Sequence, residues 1–267
     1  MLRALQAIYS LWAMISFTLL ILITFPIVLL ILLLPEKKRV VWMHHYLQGF
    51  ANAWFLSCAI KPSVYNKHLL NEQDGCVIVA NHASYIDAAV LYTAISKVFK
   101  TLGKAEVAKA PLFGLIYRTV VVTVDRSSNM AKARSMINMA NDIKNGLDVV
   151  IFPEGTFDDV PVELLPFHAG AFKLAIDSGR PVLPLILLDA TKRMHPKSLW
   201  RWSPGKNRSV FLPAINTNTL GKHQDDELKD YMYSYMSHMW KYCVASGPRN
   251  SEQEALKWLA ANAFTKN

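Results

Sequence analysis

The sequence predicts an α/β protein in which a mostly parallel sheet is flanked by helices and preceded by an N-terminal membrane-embedded helical segment. Three observations carry that prediction. Ala4 to Pro35 contains no charged residue; beyond about residue 61 short β-branched runs alternate with helical patterns; and those runs are apolar on both faces, as strands covered by helices on two sides must be. Residues 1–60 read as the anchoring segment and 61–267 as one domain, since 267 residues suffice for a single full core.

The anchor comes first in the chain. A helix over "ALQAIYSLWAMISFTLLILITFPIVLLILLLP" exceeds the roughly 30 Å hydrocarbon core of a bilayer. A cleaved signal peptide is the competing reading, but its apolar core is only about 7–15 residues and ends in a small-residue cleavage site, and no such site follows here. Lys37, Lys38 and Arg39 follow directly, against Arg3 alone at the other end. By the positive-inside bias the rest of the chain is expected on the cytoplasmic face. Pro26 offers a bend into a re-entrant hairpin, and residues 40–60 form a second uncharged stretch with Trp42, Tyr46 and Trp54, so single span and hairpin both stand.

Strands are expected at residues 76–80 (CVIVA), 119–125 (TVVVTVD), 147–152 (LDVVIF), 181–188 (PVLPLILL) and 208–212 (RSVFL). The clearest helix between them spans about 129–145. Met130, Ala133, Met136, Ile137, Ala140 and Ile143 share its apolar face and Gly146 stops it. Two amphipathic helices close the chain, about 226–245 and 252–264, the second with Ser251 and Glu254 spaced as a capping box.

Lys and Arg number 29 against 20 acids, a net charge of +9. That surplus suits a partner carrying phosphate, whether anionic lipid, acidic carrier or nucleic acid, and does not choose among them. Cys58, Cys76 and Cys243 show no CxxC spacing, which excludes a zinc framework and points to reduced, buried thiols.

The chemistry gathers where strands end. In "CVIVANHASYIDAAV" the strand stops at Ala80, and a helix starting near Ser84 sets Asp87 in its first turn with His82 at its mouth. Residues five apart on one continuous helix lie about 140° apart, so the pair meets only across a turn. The structural alternative is Asn81 or Ser84 as a helix cap, with Asp87 complementing the dipole. Arg126 stands just past a second strand in "VVVTVDRSS", and Glu154, Gly155 and Thr156 just past a third in "DVVIFPEGTFDD". Ligands of open α/β sheets bind in the crevice outside such strand ends.

Four blocks in this order resemble the PlsC-type glycerolipid acyltransferases: "NHASYID" their NHxxxxD motif, "VTVDR" and "FPEGT" their second and third blocks, and "GRPVLPLIL" the later Val-x-Pro block. The resemblance covers about residues 75–190. It implies a bilayer-docked α/β catalytic domain over 61–267 that moves a fatty acyl chain from acyl-CoA or acyl carrier protein to the free hydroxyl of 1-acyl-glycerol-3-phosphate. Membrane lipids are then the partners, nucleic acid is not one, and no metal or redox cofactor is needed. His82 becomes the general base and Asp87 the group that fixes its tautomer. There is no GxSxG and no Cys beside the His motif, so direct transfer without an acyl-enzyme is expected.

By the same resemblance Lys104, in "LGKAEVAKAPLFG", and Arg126 hold the acceptor's phosphate, with Glu154, Gly155 and Thr156 lining the acceptor site. A carboxylate repels a phosphate, so Glu154 is expected to bond an acceptor hydroxyl or to hold Arg126. The chain departs from the family pattern after "FPEGT", where many relatives continue with Arg or Ser and this one has Phe157, Asp158 and Asp159. If the two aspartates face the crevice, they favour a cationic or zwitterionic lysolipid over lysophosphatidate.

Overall fold

The computed structural model describes residues 2–124, 129–156, 164–221 and 223–264. Seven strands form one sheet in the order β1-β7-β6-β2-β5-β3-β4. They are β1 (Ile60–Tyr65), β2 (Val77–Ala80), β3 (Phe99–Lys104), β4 (Val121–Val124), β5 (Asp148–Ile151), β6 (Val182–Leu187) and β7 (Gly205–Phe211). β2, β3, β4, β5 and β6 run parallel, β7 runs antiparallel to β6, and β1 pairs parallel to β7. The helices are α1 (Leu2–Leu32), α2 (Glu36–Ser57), α3 (His68–Asn71), α4 (Asp87–Ala94), α5 (Phe113–Val120), α6 (Asn129–Lys144), α7 (Gly170–Ser178), α8 (Ala190–Arg193), α9 (Asp225–Ser246) and α10 (Ser251–Ala261).

Side chains alternate across a pleated strand, and here both faces are apolar. Val77, Val79, Val149, Ile151, Val182 and Ile186 pack against Met139 and Ile143 of α6, Phe172 of α7 and Met232, Met236 and Met239 of α9. Their neighbours Ile78, Ala80, Val150, Leu183, Leu185 and Leu187 pack against Trp54 and Phe55 of α2 and Val90 and Leu91 of α4. The result is the three-layer α/β arrangement that the sequence predicts.

Five of the strands fall where the sequence places them, with two boundaries moved by more than a residue: Thr119 and Val120 belong to the end of α5, not to β4, and β7 begins at Gly205, three residues before the expected start. β1 and β3 are additional. Helix α6 is present, but its buried stripe differs from the expected one. Of the expected face Met136, Ala140 and Ile143 do pack on the core, but Met130, Ala133 and Ile137 are exposed and Met139 and Ser135 are buried instead, and Ser135 Oγ donates to Thr123 O at 2.9 Å. The helix is thus rotated toward β4 by a polar contact that a purely apolar pattern misses. The capping box does not form: Ser251 Oγ donates to Pro248 O and Glu254 instead meets His238 Nε2 at 3.2 Å.

At the N-terminus, α1 runs unbroken through Pro26, and the chain reverses after it, where Pro35 precedes α2. α1 and α2 pack antiparallel, joined by Trp12 Nε1 to Ser57 O (2.9 Å), Trp54 Nε1 to Ala13 O (3.0 Å) and Thr24 to Tyr46 hydroxyls (2.8 Å). Among the described residues, α1 is the helix long and apolar enough to cross a membrane. α2 begins with four charged residues and buries Met43, His44, Trp54 and Phe55, so it serves as the layer between α1 and the sheet. Cys58, Cys76 and Cys243 are free and buried.

Candidate active site

The parallel strands β2, β5 and β6 deliver their carboxyl ends to one crevice lined by Asn81, His82, Ala83, Glu154, Leu164, Leu187, Thr191 and Trp240. Asn81 locks the first and third of these strands together: its side-chain amide donates to Leu187 O at 3.1 Å while its oxygen accepts the Leu187 N–H at 2.7 Å. His82 follows at once, one fifth of its side chain exposed. Its ring stacks on Phe152, centroids 4.1 Å apart and planes 17° off parallel.

His82 Nδ1 lies 2.9 Å from Asp87 Oδ2, and the same oxygen accepts the backbone N–H groups of Ala83 (2.7 Å) and Ser84 (2.8 Å). Asp87 is fully buried. Its carboxylate therefore closes a tight loop between β2 and α4, and the contact to Nδ1 places the imidazole proton there and the lone pair on Nε2. The capping alternative fails on both residues: Asn81 is committed to Leu187, and Ser84 Oγ donates to Met194 O at 2.7 Å.

Glu154 is buried under this loop. One oxygen accepts the His82 backbone N–H at 2.8 Å and the other the Leu165 N–H at 3.0 Å. Burial pushes its carboxyl up to about 7 against the pull of those two N–H donors. Gly155 turns the chain at φ +70°, and a side chain there meets the His168 ring at 3.0 Å. Thr156 is exposed beside it.

Lys104 is exposed at the carboxyl end of β3. That strand is two places from β2, hence about 10 Å away across the sheet. The structure thus brings His82, Asp87, Glu154 and Gly155 together and sets Lys104 on the same rim at a distance. Arg126, Phe157, Asp158 and Asp159 lie outside the described residues.

The acyltransferase family profile matches residues 61–188, the stretch that holds every element of this crevice described so far except Trp240 and Thr191. Over that stretch, just under half of its length, the chain is similar to the acyltransferase family. It is 28% identical over 168 residues to a 1-acyl-sn-glycerol-3-phosphate acyltransferase of Cocos nucifera, covering 61% of this chain and 53% of that one. It is 31% identical over 163 residues to the protein of the same name from Salmonella typhimurium, covering 60% and 64%. The chain thus spans between half and two thirds of these relatives. The crystal structure of a 1-acyl-sn-glycerophosphate acyltransferase, PlsC, from Thermotoga maritima superposes with TM-score 0.75 at 20% identity, over 90% of this chain and 98% of that one, and so shares the fold.

Within this crevice the sequence alone misses three contributors. Phe152 stacks on the His82 ring from the residue after β5, and Thr191 and Trp240 approach the crevice from α8 and α9. Phe152 carried a signal, as the aromatic opening "FPEGT"; Trp240, in the middle of an amphipathic helix, carried none.

Proposed function

We propose that the chain transfers a fatty acyl group from acyl-CoA or acyl carrier protein to the free hydroxyl of 1-acyl-glycerol-3-phosphate, giving phosphatidate. The observation that carries this reading is the 2.9 Å contact between His82 Nδ1 and Asp87 Oδ2 at a crevice of strand ends. With Nδ1 held by Asp87, Nε2 is the ring nitrogen assigned the role of general base for the alcohol. Nε2 takes the hydroxyl proton as the oxygen attacks the thioester carbonyl carbon. The tetrahedral adduct then collapses, the C–S bond breaks, and the imidazolium returns the proton to the departing thiolate. Asp87 keeps its charge throughout and stabilises the imidazolium. No step uses a metal or redox cofactor.

Lys104, at the end of β3, and Arg126, two positions beyond β4 in the sequence, are the proposed phosphate ligands. For Glu154, the two backbone N–H groups on its oxygens support a part that the sequence did not offer, that of positioning His82. The catalytic domain is placed on the cytoplasmic face, with α1 in the bilayer, on the strength of Lys37, Lys38 and Arg39 following it.

The test supplies the purified full chain with labelled acyl-CoA or acyl carrier protein, with and without 1-acyl-glycerol-3-phosphate. Label is expected in lipid only when acceptor is present. Release of free fatty acid without acceptor at the same rate would make the protein a hydrolase, and absence of turnover with any donor would make it a lipid-binding module. A panel of lysolipid acceptors on wild type and Asp158→Asn/Asp159→Asn decides the acceptor: a zwitterionic preference that vanishes in the double variant would replace lysophosphatidate.

A further inference from the structure

A second cleft, about 280 Å³ in volume, lies where α1 ends, α2 begins and the last turn of α5 passes. It is far from the catalytic crevice. Lys100, on its wall, is the second residue of β3, and Lys104, on the crevice rim, is the last, a separation of about 13 Å along the strand. Val121, which follows α5, pairs with Thr101 at that same starting end.

The walls of this cleft are of two chemical kinds. Leu32, Val40 and Leu115 are apolar, whereas Arg39, Lys100, Arg118 and Thr119 are cationic or hydroxyl-bearing; Glu36 also lines it. Arg39 is fixed across the α1–α2 turn, its Nε and Nη2 donating to Leu34 O at 3.1 and 3.0 Å. Arg118 donates Nε to Ala108 O at 3.0 Å, and its two terminal nitrogens have no partner among the described residues. Lys100 is paired to Asp142 at 2.8 Å. Setting Glu36 and Asp142 against Arg39, Lys100 and Arg118 leaves one surplus positive charge, and Lys37 and Lys38, exposed on the first turn of α2, add two more. A guanidinium with both terminal nitrogens available matches a pair of phosphate oxygens.

The apolar wall says what carries the phosphate. Leu29, Leu30 and Leu33 are exposed at this end of α1, Leu33 by 81%, and an inorganic anion makes no use of them. We propose that the cleft binds the phosphate of an anionic phospholipid between Arg39 and Arg118, with the acyl chains lying along the apolar end of α1. Such a lipid adds its charge attraction to the apolar embedding of α1 and fixes the tilt of the domain on an anionic surface.

The experiment measures binding of dihexanoyl phosphatidylglycerol and dihexanoyl phosphatidylcholine to the full chain in neutral detergent, and so does not depend on turnover. The wild type is expected to bind the anionic lipid at least about tenfold more tightly, and Arg39→Gln/Arg118→Gln to lose about that factor, the effect of one charge-assisted contact. Lys104→Gln, on the catalytic rim, is expected to bind the anionic lipid as the wild type does. Arg118→Gln alone leaves the Arg39 contact to Leu34 in place and guards against misfolding of the double variant. Equal affinity for the two lipids, undiminished binding in folded Arg118→Gln, a loss confined to Lys104→Gln, or displacement by equimolar inorganic phosphate would each overturn the proposal.

Discussion

Glu154 Oε1 accepts the backbone N–H of His82 at 2.8 Å, so the turn after β5 grips the turn after β2 by its main chain. Removing that grip frees the backbone of His82 itself. Glu154→Ala is therefore expected to lower kcat by about tenfold or more with little change in the acceptor KM, a loss felt only in the transition state. Steady-state kinetics check it, and a change confined to KM would place Glu154 against the acceptor instead.

The same carboxyl sets a pH dependence of stability. Its ordinary value is 4.5 and burial pushes it up to about 7, so between those values the folded protein holds a proton that the unfolded chain has released. The stability contributed here is complete below about pH 4.5 and is lost as pH rises through about 7. Glu154→Gln cannot ionise, and its melting temperature is expected to fall less than that of the wild type across this window. Parallel curves for the two proteins would refute the shifted titration.

His82→Ala is expected to reduce transfer by at least about 10²-fold, the usual loss for a general base, in a protein that stays folded and membrane-bound. Asp87→Asn should cost less activity. Asp87→Ala should also cost stability, about 1–3 kcal/mol for each stranded N–H, because Ala83 and Ser84 lose their acceptor. Denaturant titration of the three variants separates the two kinds of loss.

Gly155→Ala places a side chain at φ +70° and against the His168 ring. The backbone term alone costs roughly 1–2 kcal/mol. A lower denaturation midpoint at unchanged slope is the expected result; an unchanged midpoint would mean that the turn relaxes freely.

For Arg126, the expectation rests on its place after β4 and on the phosphate of the proposed acceptor. Arg126→Ala should chiefly raise the acceptor KM. A rise confined to the thioester's KM would assign Arg126 to the donor.

What was legible in the sequence follows a physical rule. β2, β5 and β6 are wholly buried, and continuous apolar runs announce them. β1 escaped because it is an edge strand with exposed Lys61 and Pro62, where proline's missing donor is tolerated. β3 escaped because two lysines and Gly103 interrupt it, the glycine making room for the Tyr117 hydroxyl. The His82–Asp87 turn was legible because side chain meets side chain. The hold of Glu154 on His82 was not, since a backbone N–H has no letter of its own in the sequence.

The close packing of the first two helices bears on how the protein can be handled. Ala13, Trp54, Phe55 and Cys58 sit in one cluster with Ile78, Ala80 and Leu185, and the Trp202 N–H reaches back to Ser10 Oγ at 3.1 Å. The anchor is not a detachable cassette. A version trimmed to start at β1 would uncover the oily underside of its own sheet and precipitate, and grafting another protein's membrane helix in its place would leave the same surface bare. Solubilising this protein calls for changes on the outward side of α1, at positions such as Ile8, Ile23 and Leu30, with the hairpin kept whole.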